Sequence, residues 1–179
     1  MAPLDFVRTR SKAPPRPDEP VLRVVNWNIH HGADAWDRLD LKAVAALLAG
    51  CDADVLVLQE VDRHWGERSG DVDQARWLAE RLEMHGLHGW TVRRRDPDGA
   101  SERRHGNAVL SRQPWRAPRV VRFQDVPVVE RRGLLAATTG TPVGQVRVVG
   151  THLSARGSGF RRAEVGQLLT VIAHDRSAG

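Results

Sequence analysis

Between Asp54 and Gln59 the chain runs Val55-Leu-Val-Leu58, an unbroken aliphatic stretch with Val at alternate positions. A run this short, apolar at every position, predicts a strand covered on both faces, not a surface strand with one wet face. Such a strand needs packed layers above and below it, so the fold must be assembled around this segment. Upstream, Val21-Leu-Arg-Val-Val-Asn-Trp-Asn-Ile29 has the β-branched character of another strand. Between the two, Leu41, Val44, Leu47 and Leu48 recur at helical spacing, and Gly50 is placed as a stop. Strand, helix and strand in this order predict a βαβ unit.

Downstream, Asp71 is expected to cap a second helix with Val72, Ala75, Leu78, Ala79 and Leu82 on its apolar face, ended by Gly86. Short strands follow at about Trp90–Arg94, Gly106–Ser111, Arg119–Phe123, Leu134–Thr139 and Val146–Thr151. Pro97, Gly99, Pro114, Pro118 and Pro142 punctuate them, and Thr139 to Gly144 reads as a hairpin connection. A last helix carries Val165, Leu168, Leu169 and Ile172. Residues 1–20, rich in proline and arginine and without periodicity, are expected to be a disordered arm; residues 21–179 are expected to form one domain.

Composition narrows the class. Hydrophobic residues at 41% and charged residues at 27% are ordinary for a soluble domain. No apolar run approaches the roughly 20 residues a membrane helix needs, and the N-terminus has no hydrophobic core of a signal peptide, so a cytoplasmic protein is expected. Cys51 is the only cysteine, which excludes an internal disulfide or a thiolate cluster; it reads as a small buried hydrophobe. The net charge of +5 is nearly all arginine, since Lys12 and Lys42 are the only lysines. Arginine forks suit a phosphate-bearing substrate, and a compositional habit of the source genome explains the bias equally well. With no tyrosine and no aromatics interleaved among the arginines, a stacking platform for single-stranded nucleic acid is poorly supported.

Side chains alternate across a strand, so parity separates its faces. Leu22 and Val24 share a face with Asn26, Asn28 and His30; Leu56 and Leu58 with Glu60; Val146 and Val148 with His152. Each strand is therefore expected to bury aliphatic residues first and present a polar group at its C-terminal end, where α/β sheets place ligand sites. A carboxylate and an amide oxygen are hard ligands suited to Mg²⁺, and an imidazole beside them can contact or protonate a phosphoryl oxygen. Taken singly, each residue has a plainer reading: Glu60 as a solvated edge carboxylate, His152 as a structural histidine, Asn28 as a strand terminator. His30, His31 and Asp34 together resemble a metal cluster, but adjacent histidines leaving a strand point to opposite faces. His105 is expected in a loop.

At these residues the sequence resembles the endonuclease/exonuclease/phosphatase superfamily. The matching pieces are Asn26-Trp-Asn-Ile-His-His-Gly32, Leu58-Gln-Glu-Val-Asp-Arg63, Gly106-Asn-Ala-Val-Leu-Ser-Arg112, Glu130-Arg-Arg-Gly-Leu134, Gly150-Thr-His-Leu-Ser154 and Arg162 through Gln167, in family order. The resemblance implies an α/β fold, a four-layer sandwich of two packed, mostly antiparallel sheets flanked by helices, with the second sheet incomplete here. It implies Mg²⁺-dependent phosphoester hydrolysis, with Mn²⁺ as the alternative ion. Glu60 would hold the metal, Asn28 would help hold the metal or its phosphate, and His152 would contact the scissile phosphate. Asn107 and Arg132 would line the substrate, while Arg162 and Gln167 are helix positions that read equally as structural. The substrate would be a phosphate ester: nucleic acid, phospholipid headgroup or sugar phosphate.

The family pattern continues into a Gly-Asp-Phe-Asn strand and an Asp-His pair, and neither occurs here; His174-Asp175 is reversed and too early. Those groups orient and deprotonate the attacking water, so a catalytically inactive fragment, or a phosphate- or nucleic-acid-binding domain, stands as the alternative reading. A shortened second sheet predicts exposed apolar strand surface and self-association.

Overall fold

The structure, a computed structural model, describes residues 18–95, 99, 102–123 and 130–177. Most of the expected arm, residues 1–17, lies outside the described residues. Strands β1 (Val24–Asn28) and β2 (Val55–Arg63) run parallel and are joined through helix α1 (Leu41–Gly50), the expected βαβ unit. Helix α2 (Gln74–Leu82) leads into β3 (His85–Arg95) and β4 (Glu102–Ser111), which complete a first sheet in the order β1-β2-β4-β3. Strands β5 (Trp115–Arg122), β6 (Gly133–Thr141) and β7 (Gly144–His152) form a second, antiparallel sheet, followed by helix α3 (Ser158–Ser177).

The apolar run behaves as its sequence demands. Val55, Leu56, Val57 and Leu58 are all buried. Leu56 and Leu58 pack under α1 and α2 with Val44, Leu48, Ala75 and Leu78, while Val55 and Val57 meet Val109 and Leu135 between the sheets. Helix α3 closes the far side, where Leu168 and Val171 cover Leu134, Ala136 and Val149. Helices, sheet, sheet and helix make the four layers of a mixed α/β sandwich, with three strands in the second sheet. The sheets approach closely at Gly150, where an added Cβ would stand 2.8 Å from Cγ1 of Val57. Among the described residues no helix is long and apolar enough to cross a membrane.

Several boundaries fall elsewhere than expected, each for a local reason. Asp73, not Asp71, caps α2 by accepting from the Arg76 amide; Asp71 occupies a left-handed turn at φ 54°. Helix α2 ends at left-handed Glu83, and Gly86 already lies in β3, where a Cβ would fall 2.9 Å from that of Ala79. Its smallness lets the strand lie close against the helix. Strand β5 starts at Trp115 and carries Pro118 inside it, tolerated because β5 is an edge strand with a register shift between Arg116 and Arg119. Cys51 is only partly buried, its thiol reaching the Leu47 carbonyl. Val24 is 52% exposed, against the expectation that β1 buries its aliphatic residues first, because the second sheet packs over β2, β4 and β3 and not over β1.

Candidate active site

One irregularity in β2 determines where the acid points. The ladder between β2 and β4 slips between Leu58 and Val61, and Glu60 takes the left-handed conformation at φ 57°. Val61, not Glu60, therefore continues the helix-facing side with Leu56 and Leu58. The parity expectation for Glu60 was wrong: the extra residue of a bulge turns its carboxylate away from the helices. There Asn28 at the end of β1 donates from Nδ2 to Glu60 Oε1 at 2.8 Å, and His152 at the end of β7 brings Nε2 to 3.9 Å from the same oxygen. The ends of β1 and β7 and the bulge within β2 thus bring an amide, an acid and an imidazole together.

His152 has its tautomer fixed by Arg132. The guanidinium, which can only donate, lies 3.0 Å from Nδ1. Nδ1 must be the acceptor, so the neutral ring carries its proton on Nε2, facing Glu60. Burial, followed by the Arg132 charge, lowers the His152 pKa from 6.5 and keeps that ring neutral at pH 7. Arg132 is also paired with Glu130 at 2.7 Å, yet its Nε is buried and has no acceptor among the described residues. A buried donor without a partner beside a carboxylate site is where an incoming phosphate oxygen would be satisfied. Asn107, buried on β4, donates to the Gly133 carbonyl, and Gly133 is the ladder partner of His152. Arg162 and Gln167 lie on α3, the helix covering the outer face of the second sheet.

Sequence reasoning missed one group and set a second aside. Asp62 and His105 form a buried pair, Nδ1 to Oδ1 at 2.7 Å, and Arg68 grips the same carboxylate through Nε and Nη2 at 2.8 and 2.9 Å. His105 is in β4 and not in a loop, and its Nε2 lies 3.8 Å from Glu130. A contact 43 residues apart leaves no trace in one sequence. The second group is His30 and His31. Both have positive φ, 46° and 45°, in a short 3-10 turn after β1, so the opposite-face rule, which holds for extended backbone, does not apply. Their ring centroids lie 4.5 Å apart at a tilt of 54° and, with Glu60, they offer ligand atoms all within 4.8 Å of one another. Asp34 takes no part in that group; it accepts from the side chain and backbone of Arg38.

Charge in the crevice is held in place by these contacts. Burial acts to raise the Glu60 pKa, but the Asn28 hydrogen bond and the fields of His152, His105 and His30 outweigh it and hold the group below 4.5 as a carboxylate. Burial likewise opposes ionisation of Asp62, and the hydrogen bonds from His105 and Arg68 overcome it. Burial, Arg68 and His30 lower the His31 pKa, leaving a neutral ring with a free lone pair. The donor set fits a divalent cation: an ionised carboxylate, an amide oxygen of Asn28 with a lone pair beyond its bond to the His30 amide, and imidazole nitrogen beside them.

A two-sheet α/β sandwich with an acid, an amide and an imidazole meeting at its strand ends has the frame of the deoxyribonuclease I-like fold. Residues 25–178 match the model of the Endonuclease/Exonuclease/phosphatase family, and the chain belongs to that family. No curated protein matches the sequence. Among solved structures, an endonuclease/exonuclease/phosphatase from Beutenbergia cavernae is 33% identical with a TM-score of 0.70, over 86% of this chain and 44% of that one. The human Nocturnin catalytic domain with bound sulfate is 22% identical, TM-score 0.58, over 87% of this chain and 59% of that one. TDP2 from D. rerio, complexed with a single-strand DNA product, is 17% identical, TM-score 0.59, over 88% of this chain and 56% of that one. The chain thus spans about half the length of these relatives; the last two likenesses are of fold alone.

Proposed function

We propose that this chain carries the metal- and phosphate-binding part of a divalent-cation-dependent phosphoesterase that cleaves a phosphodiester or phosphomonoester with water. The carrying observation is that Glu60, Asn28 and His152 meet beside Arg132, whose Nε has no acceptor among the described residues. Glu60, with Asn28, would hold Mg²⁺ or Mn²⁺. When bound, the cation supplies Lewis-acid neutralisation of the phosphoryl charge. The protein's own groups bind and position the phosphate. Asn28 fixes the Glu60 rotamer through its amide, and the bond from the His30 amide to Asn28 Oδ1 sets which end of the amide faces the acid. His152 Nε2 donates its proton as a hydrogen bond to a phosphoryl oxygen; with Nδ1 occupied by Arg132 it binds as a neutral donor and not as a base. The Arg132 guanidinium adds positive charge beside the same group. Asn107 supports the Gly133 backbone beneath His152.

A phosphate ester is the substrate class these donors suit, whether nucleic acid, phospholipid headgroup or sugar phosphate. Hydrolysis of bis-p-nitrophenyl phosphate with Mg²⁺ tests the reading. Glu60→Ala should lower the rate roughly 100-fold or more; equal rates for parent and variant would remove Glu60 from the mechanism. A second reading, phosphate binding without turnover, is favoured by His152, which with Nδ1 taken by Arg132 offers a hydrogen-bond donor and no base. It predicts phosphate binding that weakens in Arg132→Ala while neither protein hydrolyses the ester.

A further inference from the structure

Beside the oxygen donors stands a set of nitrogen donors that Mg²⁺ would not use. His30, His31 and Glu60 place their ligand atoms within 4.8 Å of one another. Donors spaced this way surround a common point that side-chain rotation can bring to the roughly 2.0–2.2 Å metal–ligand distances of a zinc site. Mg²⁺ takes oxygen ligands and keeps several waters, whereas imidazole suits zinc and its first-row neighbours. Two imidazoles and one carboxylate, with a position left open, are a ligand set that zinc accepts in sites where a water or substrate completes the shell.

The turn that carries the two rings is built to stay as it is. Asn28 Oδ1 accepts the His30 amide at 3.0 Å, the Ile29 amide reaches the Gln59 carbonyl at 3.1 Å, and buried Gln74 donates to the His31 carbonyl at 2.6 Å. Asp37 lies 3.3 Å from Nε2 of His31 and 3.9 Å from Nε2 of His30, in reach as the outer carboxylate that orients ligating imidazoles. His30, His31, Asp37 and Glu60 all have positive φ, from 45° to 63°.

We infer that His30, His31 and Glu60 form a binding site for a nitrogen-preferring divalent ion, zinc above all, which shares Glu60 with the oxygen-donor site of the hydrolytic reading and competes with Mg²⁺ there. The inference rests on that reading only for the competition; the zinc site stands on its own three ligands.

Isothermal titration of the metal-free full chain with ZnCl₂ tests it, alongside Co²⁺ absorption as a spectroscopic readout of nitrogen ligation. One equivalent of zinc should bind, and His30→Ala and His31→Ala should each weaken that binding at least tenfold and abolish the Co²⁺ visible band. His30 is exposed, so its variant should fold like the parent; an unchanged urea midpoint verifies this. Zinc affinity within twofold of the parent in His30→Ala, or an unaltered Co²⁺ spectrum, overturns the inference. The two readings fail separately. Loss of Mg²⁺-dependent hydrolysis in Glu60→Ala, with zinc binding indifferent to His30, keeps the hydrolytic reading and removes the zinc site. Zinc bound through His30 in a chain that hydrolyses nothing does the reverse.

Discussion

Replacing Asp62 by asparagine keeps the shape of the side chain and removes its charge. The parent carboxylate is fully buried and accepts from Arg68 Nε and Nη2 at 2.8 and 2.9 Å and from His105 Nδ1 at 2.7 Å. Hydrogen bonds to a charged group contribute about 1.5–3 kcal/mol each, but they are not additive, and Arg68, 41% exposed, regains water when released. A net loss of about 3 kcal/mol follows, at the low end for breaking a buried ion pair. For a chain of this size that lowers Tm by roughly 6–12 °C. Urea unfolding followed by tryptophan fluorescence reads it directly, because Trp65 stands edge-on to His105 at 5.7 Å. Its pH dependence has a definite sign. The Asp62 pKa is held below its ordinary 3.8, so the stabilisation is complete above that pH and is lost as pH falls through the folded value. Parent and variant should differ fully at pH 7 and converge in acid. A variant within about 1 kcal/mol of the parent at pH 7, or a gap that persists undiminished in acid, would refute the reasoning.

Two further measurements probe the frame around the site. His88 has its pKa lowered to about 4 by burial, with its Nε2 against the Val61 carbonyl. The unfolded chain therefore takes up a proton first as pH drops below 6.5, and stability is lost between there and about 4. His88→Gln should flatten that part of the stability curve by up to about 3 kcal/mol; an unchanged acid slope in urea midpoints would count against it. Gly150→Ala puts a Cβ 2.8 Å from Val57 Cγ1 and should cost about 1–3 kcal/mol by forcing the sheets apart. Gly166→Ala, on α3 with nothing within 4 Å, should instead raise Tm through helix propensity, so equal effects of the two alanines would contradict the packing argument.

The sequence by itself determined the doubly covered strand and the helix against it. An aliphatic run with no polar face cannot rest at a surface, and Val55–Leu58 is buried from both sides as it had to be. The helical spacing of Leu41, Val44 and Leu48 placed α1 under it, and the motifs around Asn28, Glu60 and His152 marked the ends of the strands where a site belongs. Which way those ends point was a different matter. Periodicity reports a regular backbone, and the site is where the backbone ceases to be regular: a left-handed Glu60 reverses its own side, and left-handed His30 and His31 share a side that extended neighbours could not. The partners that tune the site, Asp62 with His105 and Arg132 with His152, lie 43 and 20 residues apart in the chain. Local side-chain preference fixes what each segment is; strand pairing within each sheet joins Asp62 to His105 and Arg132 to His152, and the docking of one sheet on the other brings His152 to Glu60, because those pairings depend on contacts no segment makes alone.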